Sequence, residues 1–378
     1  MKRRVVIVVL IIFCFEVFAQ DQGKLMFLDI KLHSGSHLYT GDRLTEFLEY
    51  GYGAGEVRIG WQTRGKNDWE HEYNFPYYGL GWYTGAIGNP EILGQPQALY
   101  GFFGFTIGQH KRHKFTPELA LGLTYDLANY DPVDNPYNDA IGARAAVYFN
   151  LNFGFNWALN RELDFIYGLD MTHFSNGRSF QPNFGLNMLG INLGIRYHFN
   201  SAQKEYSPGI RPENLLSVRP DYSKVAPQKK RFNENNILLT TAFGTSQNQE
   251  DAGTDNRHFN FSGILDYQHF FNLKHGFTAG LDFFYDESLE PRGDEPEMIG
   301  SHLGYDFRFW RLTVRLQFGT YLSAPESRMG SMYMRPGINY AFTDRLFGHL
   351  ALKTQNGAAA DWVEFGIGYA LFHKRKVK

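Results

Sequence analysis

"HLGYDFRFWRLTVRLQF", residues 302–318, carries the alternation that decides the fold. Leu303, Tyr305, Phe307 and Phe309 hold one parity of its first half, and His302, Gly304, Asp306 and Arg308 hold the other. Beyond a short link at 309–310 the pattern resumes, with Leu312, Val314, Leu316 and Phe318 set against Arg311, Thr313, Arg315 and Gln317. A period of two sends successive side chains to opposite faces of a strand, whereas a helix with one apolar stripe repeats every ~3.6 residues. These strands therefore have one oily face and one polar or small face.

The same reading holds elsewhere. In 163–175, Leu163, Phe165, Tyr167, Leu169 and Met171 alternate with Asp164, Gly168, Asp170 and Thr172, and 277–285 repeats the pattern with Phe277, Leu281, Phe283 and Tyr285. Turn punctuation separates two sets of such segments. The first is 24–33, 55–64, 76–84, 98–107, 116–126, 142–156, 162–175 and 186–199. The second is 236–245, 258–270, 276–285, 298–308, 311–321, 332–341, 345–354 and 361–372. Between them, 201–232 contains four prolines and no sustained alternation, which marks a linker or a long periplasmic loop.

Composition says which solvent the oily face meets. Aromatic residues are 17% of the 378 and there are 40 glycines, yet mean hydropathy is −0.37 and no later stretch approaches the ~18 consecutive apolar residues of a membrane helix. Strands that turn apolar residues to lipid and polar or small residues to a lumen, with aromatic girdles, are the signature of outer-membrane barrels. The expected fold class is all-β, an antiparallel transmembrane β-barrel of about 16 strands; the alternative is two tandem barrels of about 8. One large barrel is the first expectation, since two membrane barrels in one chain would be unusual.

Loop lengths agree with that topology. If the first strand leaves the periplasm, 34–54, 127–141, 246–257 and 286–297 fall outside, and short links such as 157–161, 271–275, 309–310 and 342–344 fall inside. The link at 65–75 is longer than this rule expects.

Met1-Lys2-Arg3-Arg4 followed by the apolar run Val5 to Phe15 has the form of a secretory signal, with Val17-Phe18-Ala19 placing cleavage after residue 19. The expected layout is thus 1–19 signal peptide, 20–200 first strand set with the candidate site, 201–232 connection, and 233–378 second strand set. Cys14, the single cysteine, lies inside the signal, so the mature chain has no thiolate chemistry. A formal charge of −2 gives no reason to expect nucleic acid. No P-loop or GxGxxG is present, and no cofactor is expected.

Chemistry concentrates in "DMTHFSNGRSFQPN", residues 170–183. His173 and Ser175 continue the lipid-facing parity of the seventh strand, and Asn187 shares the parity of Leu189, Ile191, Leu193, Ile195 and Tyr197 on the eighth. Polar groups facing hydrocarbon are costly unless used. A histidine two residues from a serine on one strand face can act as base to a nucleophile. Asn187 can hold the imidazole, while Asn176 with the turn at Gly177 offers N–H donors to an oxyanion. The plain alternative is that all these side chains sit at headgroup depth, where polarity is ordinary.

At His173-Phe174-Ser175-Asn176, followed by Gln181-Pro182-Asn183, the sequence resembles the PagL-like lipid A 3-O-deacylases. The resemblance covers roughly 20–200 and is specific across 170–199. It implies an eight-stranded outer-membrane barrel in that half, lipid A of the lipopolysaccharide outer leaflet as substrate, Ser175 as nucleophile and His173 as base. It also implies an acidic third member, a glutamate, where this chain has Asn187. An amide can accept the imidazole N–H but stabilises an imidazolium less, and in a serine protease the Asp→Asn change cost about 10⁴ in rate.

The second half carries only a loose echo at 352–372, with Lys353 and Gln355 where His and Ser would stand. His349, Lys353 and Glu364 are expected in a lumen network there. His110 and His113 are spaced like part of a metal site but lack an acidic partner, so a solvated turn is expected and no metal. Asp286, Glu287, Glu290, Asp294, Glu295 and Glu297 form an acidic external loop without EF-hand spacing. The rival to an esterase is a non-enzymatic barrel, either a porin or channel if the halves form one wide pore, or a structural protein.

Overall fold

The computed structural model describes residues 24–38, 41–48, 51–199, 222, 232–325, 330–356 and 359–377. The expected signal peptide, and all of 201–232 but Tyr222 and Phe232, lie outside the described residues. The first eight strands are β1 (Lys24–His37), β2 (Tyr52–Thr63), β3 (Tyr77–Ala86), β4 (Gly94–Gly104), β5 (His113–Leu127), β6 (Ala146–Ala158), β7 (Leu163–Ser175) and β8 (Leu186–His198). They lie side by side in chain order, and β8 returns to pair antiparallel with β1, from Phe27 opposite His198 to His37 opposite Met188. Near the end of this seam Gly35 faces Gly190; a Cβ on Gly35 would stand 2.2 Å from the Leu189 carbonyl oxygen, so the closure is built on backbone contact.

The second set is β9 (Phe232–Ser246), β10 (His258–Phe270), β11 (His275–Asp286), β12 (Glu297–Phe309), β13 (Leu312–Ser323), β14 (Met332–Ala341), β15 (Leu346–Gln355) and β16 (Ala359–Val377). It closes on itself through β16 and β9, from Phe365 opposite Phe243 to Val377 opposite Phe232. The expectation of one barrel of about sixteen strands is therefore corrected to its alternative. Both edges of each eight-strand sheet are satisfied within that sheet, so no edge is left to carry pairing from β8 to β9.

Closure at eight strands leaves an interior only wide enough for side chains, and each barrel fills it with paired charges. In the first, Asp29 takes Arg58 at 2.7 Å and Arg196 at 2.8 Å, Arg58 also meets Glu118, and Glu56 accepts Lys31 at 3.1 Å and His33 at 2.9 Å. In the second, Arg315 bridges Asp266 at 2.7 Å and Asp306 at 2.9 Å, and Arg335 bridges Asp282 at 2.9 Å and Glu364 at 3.0 Å. His349 and Lys353 join this inner network, on Glu364 and Asp361. Buried charge persists only when paired, so these clusters make two plugged cylinders and not the wide pore that a channel reading requires.

The outer faces reverse that polarity. Ile30, Leu32, Leu80, Leu99, Leu123 and Leu169 are exposed on the first barrel, and Leu281, Leu303, Phe318 and Phe365 on the second. Oily outside and charged inside is the arrangement a membrane solvates. The over-long link at 65–75 is also accounted for. It holds a helical turn, Asp68–Glu72, whose buried Glu70 accepts the backbone N–H groups of Gly65 at 2.7 Å and Lys66 at 2.9 Å.

Candidate active site

β7 ends at the rim that carries the longer connections, 128–145 and 176–185; its start follows the four-residue link 159–162. Along it Asp164, Ile166, Asp170, Thr172 and Phe174 are buried in the lumen, so His173 and Ser175 lie on the outward parity with exposed Leu169 and Met171. Phe174, between them, anchors the strand end by packing inward on Tyr83 and Tyr148, with ring centroids 6.0 and 5.6 Å away. A strand whose middle residue is fixed inside must present its two neighbours outside.

Asn187 stands opposite His173 in the β7–β8 register. Its Oδ1 is 2.7 Å from His173 Nδ1. An amide oxygen can only accept, so the ring proton sits on Nδ1 and Nε2 carries the free lone pair. That is the tautomer a general base needs.

Ser175 does not hydrogen-bond His173 in this resting arrangement. Its hydroxyl instead faces Asn183, with Oδ1 at 3.3 Å and Nδ2 at 3.1 Å, and receives the Gly177 backbone N–H at 3.2 Å. Asn183 Oδ1 also accepts the Asn176 backbone N–H at 3.1 Å. One main-chain donor, the Gly177 N–H, thus reaches the hydroxyl, and a second, the Asn176 N–H, is held beside it on Asn183, in a turn made possible by the left-handed backbone of Gly177, φ +63°. The Asn176 side chain is buried, and neither its Nδ2 nor its Oδ1 has a hydrogen-bond partner among the described residues. A buried amide without partners is unusual in a resting protein and suits a group that arrives with substrate. Sequence reasoning did not assign Asn183 a role, although its place after Pro182 in the motif was the available signal.

The other sequence candidates are engaged elsewhere. His113, in β5, places Nε2 2.8 Å from the Tyr167 hydroxyl, and His110 lies against Tyr222. In the acidic loop Asp286 accepts the Ser288 N–H, Glu287 the Phe259 N–H, and Glu290 the Tyr285 hydroxyl, so three of its carboxylates are spent holding the loop.

No curated protein matches the chain. Solved structures are matched only remotely. A mutant porin of Rh. blastica has 11% identity and a TM-score of 0.20, covering 92% of this chain and 98% of that one. CdiB from Acinetobacter baumannii has 9% identity and a TM-score of 0.19, covering 93% of this chain and 60% of that one. Likenesses of this size establish no shared arrangement. Two family descriptions match in sequence: "Lipid A 3-O-deacylase (PagL)" over residues 55–196, and "Acyloxyacyl hydrolase, C-terminal domain" over 235–374. Together they span both strand sets. The chain belongs to the PagL family of outer-membrane lipid A 3-O-deacylases, and is a carboxylic ester hydrolase by that membership.

Proposed function

We propose that the hydrolysis runs through Ser175 as nucleophile and His173 as base. Lipid A lies in the outer leaflet with its esters just below the headgroups, level with an outward-facing pair at the rim. Ser175 Oγ attacks the ester carbonyl while its proton passes to His173 Nε2. The tetrahedral oxyanion takes N–H donors from the turn at Asn176 and Gly177 and from the unpartnered Asn176 amide. Collapse breaks the bond to the lipid A 3-oxygen, which leaves with the proton from His173, and the acyl group stays on Ser175. Water, deprotonated by the same nitrogen, then releases the hydroxy fatty acid.

The observation that carries this reading is the 2.7 Å contact between His173 Nδ1 and Asn187, which leaves Nε2 bare on the face that also bears Ser175. For the first step the hydroxyl turns from Asn183 toward His173; catalytic contacts are often loose before substrate binds. We also propose that residues 1–19 direct export and are removed, and that 20–200 and 233–378 are the two barrel regions, joined by 201–232. Mass spectrometry of lipid A from cells with and without the protein tests the reading. Loss of one hydroxyacyl chain with wild type and not with Ser175→Ala is expected; the same loss with both would remove Ser175 from the chemistry.

A further inference from the structure

The Ser175–Gly185 loop falls in one compact unit with Asn129–Arg144 and Gln228–Lys378, and within that unit Arg178 is its anchor. Arg178 holds a left-handed backbone, φ +66°, which a non-glycine residue adopts only when its surroundings impose it. Its guanidinium donates to Asp361 Oδ1 at 2.8 Å, to the Gln247 carbonyl at 3.0 Å and to Ser288 Oγ at 3.1 Å. Gln247 closes the loop from the other side. Its N–H donates to the Arg178 carbonyl at 2.9 Å, and its Oε1 accepts the Gln181 N–H at 2.7 Å. Beside them Gly177 is pressed so closely that a Cβ there would stand 2.3 Å from Val363 Cγ2.

Asp361 and Gln247 are buried, and Asp361 also pairs with Lys353. Nothing in the hydrolysis uses these groups, yet they fix Arg178 and Gln181, which follow the Asn176 and Gly177 donors in the loop. We infer that Arg178, held by Asp361 and Gln247, is a positioning residue for the esterase, and that the second barrel serves to hold the loop that shapes the oxyanion site. This rests on the reading of Ser175 as nucleophile. A displacement of ~1 Å at a reacting centre can cost ~10²-fold in rate without weakening binding.

The test uses full-length protein in detergent micelles with lipid A, measuring kcat and KM separately. Arg178→Ala is expected to lower kcat by about 10- to 100-fold with KM changed by less than about twofold, and Arg178→Lys to recover part of the loss by keeping the charge on Asp361. Gln247→Ala, which leaves every ion pair intact, is expected to lower kcat in the same way. Because Lys353 continues to neutralise Asp361, Arg178→Ala strands no buried charge, and heat-dependent gel mobility reports whether the barrels remain closed. Should Arg178→Ala fail to fold, Gln247→Ala and Arg178→Lys carry the test. If wild type turns over, Ser175→Ala does not, and folded Arg178 and Gln247 variants keep wild-type kcat, the positioning role is overturned while the nucleophile stands. If wild type is inert or Ser175→Ala still turns over, the nucleophile reading fails and the positioning role fails with it.

Discussion

Replacing Asn187 probes the orientation of the base directly. Asn187→Leu keeps the Cγ-branched shape, suits an outward face whose neighbours are Leu189 and Ile191, and removes the acceptor 2.7 Å from His173 Nδ1. A hydrogen bond to a neutral group is worth ~0.5–1.5 kcal/mol and one to a charged group ~1.5–3 kcal/mol. Only the excess in the transition state, when the imidazole has become imidazolium, slows the reaction. With the added loss of tautomer control, the expected fall in kcat is about 10- to 100-fold, below the ~10⁴ seen when a triad carboxylate is neutralised. Asn187→Asp should move the rate the other way. A full charge at ~4 Å and an effective dielectric of ~20 is worth at most ~4 kcal/mol, and a third of that is already about tenfold. Initial rates of hydroxy fatty acid release, measured by liquid chromatography with mass detection, give both numbers. The reasoning is refuted if folded Asn187→Leu turns over within about twofold of wild type.

Other substitutions separate site from scaffold. Asn183→Ala removes the side chain that holds Ser175 Oγ and the Asn176 N–H, and should lower kcat about tenfold at roughly one net hydrogen bond's worth of free energy, measured in the same rate assay. Arg335→Met leaves Asp282 and Glu364 without their shared guanidinium and should destabilise the second barrel by ~3–5 kcal/mol, read from the denaturation midpoint with buried Trp362 as reporter.

The strand plan was legible because alternation is a local property. The first half of "HLGYDFRFWRLTVRLQF" ends in the structure at Phe309, one residue beyond the expected 308, and β7 and β10 fall within a residue of the segments read for them. The outward parity of His173, Ser175 and Asn187 follows from the same periodicity, whereas the placing of Asn187 opposite His173 is a matter of register, which parity alone does not fix. Closure was not legible. The register of Phe27 with His198 is a contact across the whole first half of the chain, and nothing in the alternation of either strand records it. The contacts of Asn183 and Arg178 were hidden for a related reason: they depend on loop geometry, where side-chain direction is set by neighbours such as Gln247 beside Arg178 and not by a repeating period. The helical turn around Glu70 was missed because a single carboxylate collecting backbone N–H groups leaves no pattern to count.

Covalent labelling of purified protein by a lipid-like fluorophosphonate, mapped by tandem mass spectrometry, tests the outward-facing nucleophile most directly. One adduct on Ser175 is expected, formed far more slowly in His173→Ala and absent after Ser175→Ala. An adduct on another residue, or labelling of Ser175 at an unchanged rate without His173, would contradict the assignment.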